Sequence, residues 1–521
     1  MVFGGLEWGR VRSSWKVFLK TKQHSNVRVW LAACGLVCGA MSAYVSQVLL
    51  AGIPHVTDEV SYTLQARLFA GFSRVGPIAD NASMWQLPFW SVEGPMFSPF
   101  PPGWPAVLSI GESVHLGAWV NPLLSCFLPL VVYRIGVSVL GGKAAKIAAV
   151  VVALSPGVWL LAGSRMAHTS VLLALGMVMA CAVSARNERS AWLLGALGAA
   201  YVVLARPFDA ALLAGPLLVM GWSAAQRSRM LWAWVGLPTL AAMLLFADNA
   251  FLTGDPFRFP MSDWFDAWQG RQGCNRLGFG ADVGCSPTLG GFGHDPLKAM
   301  HLAWESLLRF DRLLLGFHGG TVLALWGAWK MKARRGWVWV LLIVVGYGLY
   351  WSPGRAYGAR FWHPIYLVVP LALAHALAPL KPRLTGFLLV GLSLGGLSQV
   401  QSDLTDRYWC VDNGLQSILA EAGVEEGVVF LLGKGQRSTE WPTLGVERFQ
   451  CDPMLESGDG WALINPSSLQ AGLQVRHALP DIESTQAFME AHHPGRASWL
   501  VTHDVSRDIR TIKSLGILAP R

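Results

Sequence analysis

The chain has 521 residues, of which 53% are apolar and 14% charged, against about 25% charged in soluble domains. That is more apolar surface than one water-soluble core needs, which excludes a purely soluble protein, and 25 Trp residues suit a molecule with two membrane–water interfaces. The net charge of +9 lies in short basic clusters between apolar runs, so it reads as a topology signal and excludes a nucleic-acid surface.

Residues 1–28 are basic, and the first long apolar run opens near Val29 with no small-residue cleavage site close behind it. It is therefore expected to stay as a membrane anchor. A bilayer core needs roughly 20 apolar residues per helix. Runs of that kind cover 29–51, 119–140, 144–163, 169–185, 191–205, 209–225, 231–250, 312–329, 337–351, 362–379 and 384–401, which predicts about eleven transmembrane helices. The segment 103–117 is apolar but bounded by Pro and holds Glu112 and His115, so it is read as an interfacial or re-entrant helix. No internal repeat is present.

With the N-terminus on the cytoplasmic side, every inner segment carries basic residues: Arg10 to Arg28, Lys143 and Lys146, Arg186 and Arg189, Arg227 and Arg229, Lys330 to Arg335, Lys381 and Arg383. The longer outer segments are sparser in Lys and Arg, the positive-inside pattern. The layout is an α-helical polytopic membrane protein of the inner (plasma) membrane. Its membrane domain covers 29–401, with extracytoplasmic loops 52–118 and 251–311, and an extracytoplasmic C-terminal α/β domain covers 402–521.

After the first span, Thr57 is placed to cap a helix with Asp58 and Glu59 in its first turn, and Gly71 suits its end. Asp58, Tyr62, Gln65 and Phe69 then share one face, which predicts an amphipathic helix on the outer membrane surface. Acidic residues at a helix start are ordinarily caps. Here they are joined at the same level by Arg165 and His168, Arg206 and Asp209, Asp248 and Asn249, and Arg355, Tyr357, Arg360 and His363. Ionisable groups at membrane depth usually face a polar cavity. Snorkelling accounts for an Arg or two, but less easily for a recurrent set on one side that includes His, Asp and Asn.

A lone carboxylate and several guanidinium groups at a lipid boundary suit transfer of a sugar from a lipid phosphate. The phosphate leaving group needs positive charge, which Arg supplies as a bidentate fork. The attacking hydroxyl needs one general base, and in-line displacement inverts the anomeric centre. A transporter or lipid flippase is the alternative, against which the lack of repeats and of mid-membrane polar residues counts. A structural subunit with a sensory tail would leave the polar set unexplained.

At this point the chain resembles the GT-C-fold membrane glycosyltransferases, in the branch of dolichyl-phosphate-mannose–protein mannosyltransferases and aminoarabinose transferases. The likeness covers about residues 25–400. It rests on the order of His55-Val-Thr-Asp58-Glu59-Val-Ser-Tyr62-Thr-Leu-Gln65-Ala, Pro99-Phe-Pro-Pro102-Gly103-Trp-Pro105, Ser155-Pro156, Ser164-Arg-Met-Ala-His168-Thr, Ala205-Arg206-Pro207, Asn249 to Pro256, and Tyr357-Gly358-Ala-Arg360-Phe361. The resemblance implies a polyprenyl-phosphate-linked sugar as donor and an acceptor that is protein, lipid or polysaccharide. Asp58 would engage the acceptor or a bound cation and Glu59 would support it. Arg360 and Arg355 would hold the donor phosphate, with Arg206, Arg165 and His168 in the same cavity. His55, Tyr62, Gln65 and Tyr357 would line the acceptor side. Phe361-Trp362-His363-Pro364 departs from the Tyr-rich, acidic stretch often found there. An Asp-Glu pair could also bind a divalent cation through hard oxygen ligands.

Four cysteines fall in outer segments, where an oxidising compartment permits disulfides; Cys274–Cys285 and Cys410–Cys451 are the expected pairs. The 251–311 loop is Gly-rich, which suggests a flexible gate over the cavity. In the tail, strand-length apolar runs at Val428–Leu432, Trp461–Ile464 and Ser498–Thr502 alternate with helical stretches. His492-His493-Pro494-Gly495-Arg496 reads as a solvated turn.

Overall fold

The apolar run that opens at Val29 contains no proline and lies in helix α1, Lys22–Tyr44, which loosens into a π-turn at Val45–Leu49. The computed structural model describes residues 22–85, 87–184, 188–285, 292–331, 334–405, 411–434, 437–440, 448–451, 473–479, 481–504 and 509–517. A Cβ at Gly35 would collide with the Cys126 carbonyl, so glycine there lets α1 approach the backbone of helix α4, Val120–Ser125, and the turn after it. The Asp58 helix is α2, Thr57–Ala70, and the Pro-bounded segment forms α3, Gly103–Glu112.

Helices α5 (Leu128–Leu140) and α6 (Gly142–Ala153) turn on Gly141 at φ 86°, a left-handed conformation that favours glycine. Next come α7 (Pro156–Gly163), α8 (His168–Ser184), α9 (Arg189–Ala205), α10 (Gly215–Arg227) and α11 (Leu231–Thr253), with α9 packed against both α8 and α11. Among the described residues, four helical runs are long and apolar enough to cross a membrane: Asn26–Leu49, Gly117–Leu140, Pro207–Arg227 and Leu231–Thr253. The pair α6–α7, bent by 50°, makes a fifth when taken as one span. Several of the remaining expected spans, α8 and α9 among them, are shorter apolar helices.

The expected span 312–329 is not one helix. α13, Pro296–Leu315, ends at Gly316 with φ 79°, and α14, Gly320–Lys330, starts afresh. Asp311 makes the break: its carboxylate accepts from the backbone N–H of Gly319 at 2.8 Å and Thr321 at 2.6 Å, capping the new helix start. The 251–311 segment, expected as a flexible gate, carries regular structure among its described residues. It contains α12, Pro260–Gln269, and the Cys274–Cys285 disulfide. Gly280 and His294 exchange backbone bonds, and Gly278 N–H donates to the Leu349 carbonyl at 2.8 Å. The segment is thereby pinned to the end of α15, Arg334–Gly348. The region expected as span 362–379 is a 3-10 stretch, Arg360–Leu367, followed by helix α16, Val369–Leu377; α17 is Pro382–Thr405.

Beyond α17, helix α18 (Gly414–Glu421) leads into a four-stranded sheet. Its order is β4 (Leu473–His477), β1 (Gly427–Lys434), β5 (Ala497–Asp504) and β6 (Ile509–Ile517), with β1 parallel to both neighbours and β6 antiparallel to β5. Central β1 is apolar throughout its middle, and Val428, Val429 and Phe430 are fully buried, as a strand covered on both faces requires. Helix α19, Ile482–His492, crosses from β4 to β5. β2 (Arg437–Glu440) and β3 (Arg448–Cys451) form a separate ribbon. The expected strand 461–464 and Cys410 of the expected Cys410–Cys451 pair lie outside the described residues.

Helix α2 is not amphipathic on a membrane surface. Ten of its 14 residues, from Asp58 to Leu68, are buried. Tyr62 and Ala66 belong to the main helical core, while Val60, Leu64 and Leu68 belong to a second core that includes Trp85, Trp90, Phe430 and Met489. Two apolar faces back to back produce burial all round.

Candidate functional site

Thr57 does not cap α2. Val56, in extended conformation, holds the cap position, and the cap is made by Glu59 reaching back: its Oε2 accepts from the backbone N–H of His55 and Val56 at 3.0 Å each. The same oxygen accepts from Tyr357 Oη at 2.6 Å, and Oε1 accepts from the Arg165 backbone N–H at 2.5 Å. Four donors engage the carboxylate, three on Oε2 and one on Oε1, so Glu59 ties three chain segments together. Tyr357 sits at φ 56° and Gly358 at φ 86°, a turn that swings the phenol onto Glu59.

Asp58 faces a different way. It is 5% exposed, and its Oδ2 accepts from Arg360 Nη1. Arg360 opens the 3-10 stretch just beyond that Tyr357–Gly358 turn, so one turn delivers both Tyr357 to Glu59 and Arg360 to Asp58. Arg360 Nε is buried without a hydrogen-bond partner among the described residues.

Beside this pair stands a second cation. Arg206 Nε donates to Asp209 Oδ2 at 2.5 Å, its Nη2 donates to Tyr347 Oη at 2.7 Å, and its Nη1 lies 2.6 Å from His168 Nε2. A guanidinium only donates, so His168 Nε2 accepts and the ring proton sits on Nδ1, which is buried without a partner among the described residues. Phe361 links the two cations: the Arg206 and Arg360 guanidinium carbons lie 5.6 and 5.3 Å from its ring centroid, and Tyr347 stacks on it at 4.8 Å. Tyr62, one turn beyond Asp58, packs against Phe100 at 4.5 Å. His363 is 1% exposed, with neither ring nitrogen hydrogen-bonded among the described residues.

Other expected residues point elsewhere. The Arg165 guanidinium, outside the spans, donates to Glu112 and Thr63 at 3.2 Å each and to the Gly52 carbonyl at 2.8 Å. Burial pulls its pKa down, with Glu112 opposing. Arg355 pairs with Glu305 at 3.3 Å. His55 Nε2 bonds the Leu50 carbonyl, and Gln65 joins Ser98 and Arg74. Among the described residues, no group of three or more His, Cys, Asp or Glu side chains is placed to hold a metal ion. Sequence reading missed Tyr347, Phe361 and Glu305 as participants. Tyr347 lies within an apolar run, where its phenol was the available signal.

Arg74, at the far end of α2, forms a bidentate pair with Asp248 at 2.6 and 3.0 Å. The pair sits in an otherwise apolar cleft of ≈ 500 Å³ lined by Phe69, Pro102, Leu204, Leu244 and Phe251.

No protein-family model matches the sequence, and no curated protein matches it. Among solved structures the chain is similar to ArnT from Cupriavidus metallidurans bound to undecaprenyl phosphate. Identity is 14%, coverage is 95% of this chain and 100% of that one, and the TM-score is 0.58. The apo state of the same ArnT aligns at 13% identity over 92% and 94% of the two chains, with a TM-score of 0.56. The molecule is an integral membrane protein with the GT-C fold of membrane glycosyltransferases.

Proposed function

We propose that this protein moves a sugar from a polyprenyl-phosphate donor to an acceptor on the extracytoplasmic face, with inversion at the anomeric carbon. The observation that carries the reading is the buried Asp58–Arg360 pair where α2 meets the Tyr357 turn, in a fold shared with a protein crystallised with undecaprenyl phosphate. In this reading about eleven helices span the bilayer, the N-terminus is cytoplasmic and the C-terminal α/β unit is extracytoplasmic.

Asp58 accepts the proton of the acceptor hydroxyl, whose oxygen bonds to the anomeric carbon. The bond from that carbon to the phosphate oxygen breaks, and its electron pair leaves with polyprenyl phosphate. Arg360 offers the guanidinium that neutralises this phosphate, and Arg206, held by Asp209 and Tyr347, adds a second positive centre. Without donor, Asp58 and Arg360 neutralise each other. The donor phosphate competes for Arg360 and frees an Asp58 oxygen to act as base. The apolar cleft at Arg74 suits a lipid chain approaching from the side.

The test is sugar transfer by Asp58→Asn and Arg360→Lys proteins that keep the wild-type unfolding midpoint. Loss of a general base costs about 10²-fold or more, so Asp58→Asn should transfer at under about 1% of the wild-type rate while still binding polyprenyl phosphate. Arg360→Lys should weaken that binding. Undiminished transfer by Asp58→Asn removes Asp58 from the mechanism.

A further inference from the structure

Arg476 lies on β4 and is 0% exposed, an unusual place for a guanidinium. Its Nη1 donates to both carboxylate oxygens of Asp80 at 3.0 and 2.8 Å, and its Nη2 donates to Gln474 at 3.0 Å. The guanidinium carbon stands 4.7 Å over the Trp85 ring and 5.8 Å from that of Phe488. Asp80 also receives Trp85 Nε1 at 3.1 Å and lies 3.3 Å from His493 Nε2, so the His492–Arg496 turn is docked and not simply solvated. Asp80 and Trp85 are not part of the C-terminal unit. They belong to the segment that follows α2.

That segment is fastened to α2 on its other side. Ser61 Oγ donates to the Phe89 carbonyl at 2.6 Å and lies 2.7 Å from Ser98 Oγ. Gln65 Oε1 accepts from the Ser98 N–H at 3.0 Å, and Gln65 Nε2 donates to the Arg74 carbonyl at 2.9 Å. The apolar residues follow the same route: Val60, Leu64 and Leu68 of α2, Trp85 and Trp90 of the segment, and Val429 and Phe430 of β1 form one continuous core. Among the described residues Asp80 is the carboxylate paired with the Arg476 guanidinium, so undocking the two units would separate this buried charge pair, and the contact favours one seating over many.

We infer that Arg476 is a positioning residue: through Asp80 and Trp85 it seats the C-terminal α/β unit on the segment 74–98, and this unit thereby holds α2 where Asp58 meets Arg360. The kinetic part of the inference rests on the transferase reading; the mechanical part does not.

The experiment uses the full-length protein in detergent, with Asp80→Asn, Arg476→Met and the exchanged pair Asp80→Arg/Arg476→Asp. Amide hydrogen exchange is followed in residues 57–70 and, as a reference, in α8 and α9. Exchange in 57–70 is expected to rise by about tenfold or more in both single variants, with α8 and α9 unchanged and part of the protection regained in the exchanged pair. With a transferable donor, kcat should fall by about tenfold or more while donor KM moves by less than about twofold. Asp80→Asn leaves the sheet's own residues intact and carries the test should Arg476→Met not fold. Exchange that rises in β4 alone, with 57–70 as in wild type, would overturn the inference, as would a loosened α2 with unchanged kcat. A wild-type protein that transfers no sugar refutes the functional reading, and the exchange data still decide the coupling.

Discussion

Asp58 and Glu59 are adjacent, yet successive helical residues point about 100° apart, and their carboxylates meet different company. Glu59 collects backbone N–H groups and the Tyr357 phenol, whereas Asp58 meets the Arg360 guanidinium. Glu59→Gln should therefore act on stability more than on chemistry. It keeps the shape, removes the charge that strengthens the bonds, and turns one acceptor oxygen into a donor facing N–H groups. A loss of about 1.5–3 kcal/mol is expected for a hydrogen bond to a charged group, read as a lowered unfolding midpoint, with residual transfer well above that of Asp58→Asn. At this scale the sequence marked the acidic pair and Arg360 through their clustering at helix ends. The resemblance gave Asp58 the leading role and Glu59 the supporting one; the residue pattern alone could not separate them, since the bonds that occupy Glu59 come from residues 165 and 357, far along the chain. It also grouped Arg165 and Arg355 with Arg360, although nearby Glu112 and Glu305 engage them instead.

Helix α2 shows why periodicity misled at the scale of elements. Asp58, Tyr62 and Gln65 suggested a polar face, and its apolar residues suggested a membrane face. In the fold Ser61, Thr63 and Gln65 are buried by pairing with backbone and side chains of neighbouring segments, a compensation invisible in one segment's pattern. The outer loop misled differently. Its glycines suggested mobility, while among its described residues Gly278 and Gly280 make backbone bonds and Cys274–Cys285 closes a loop with a sequence separation of 11. Closing a loop of that size contributes roughly 2–3 kcal/mol locally. Cys274→Ala/Cys285→Ala should speed proteolysis between residues 260 and 285 while leaving α9 and α11 protected. Equal protection of the loop in both proteins would show that the bridge adds little.

Across the whole molecule, two cores share α2, and the smaller one joins the C-terminal unit to the Asp58 helix. The run of apolar segments and basic clusters was enough to indicate a polytopic helical protein, and two of the tail's short runs, 428–432 and 498–502, fall in strands β1 and β5. The docking of that unit was not legible, because Asp80 and Arg476 are 396 positions apart and neither stands in a motif. Burial alone would raise the Asp80 pKa, but hydrogen bonds from His493 and Arg476 and the Arg476 charge hold it far below the usual carboxylate range. Burial lowers the Arg476 pKa too, yet a guanidinium stays protonated at any physiological pH. A depressed carboxylate pKa contributes stability that is complete above the unfolded value of about 3.9 and is lost as pH falls through the folded value. The Asp80–Arg476 contribution should thus be constant from about pH 5 upward and fail only in strong acid. Exchange protection of residues 57–70, corrected for intrinsic rates, would check this, with Asp80→Asn lacking the acid-linked loss.

The most direct measurement incubates the purified protein with a panel of polyprenyl-phosphate sugars and an envelope extract as acceptor, and detects free polyprenyl phosphate by mass spectrometry. At least one donor should release it with wild-type protein, and Asp58→Asn should leave that donor intact. Release that is absent with every donor, or equal in the two proteins, would contradict the account.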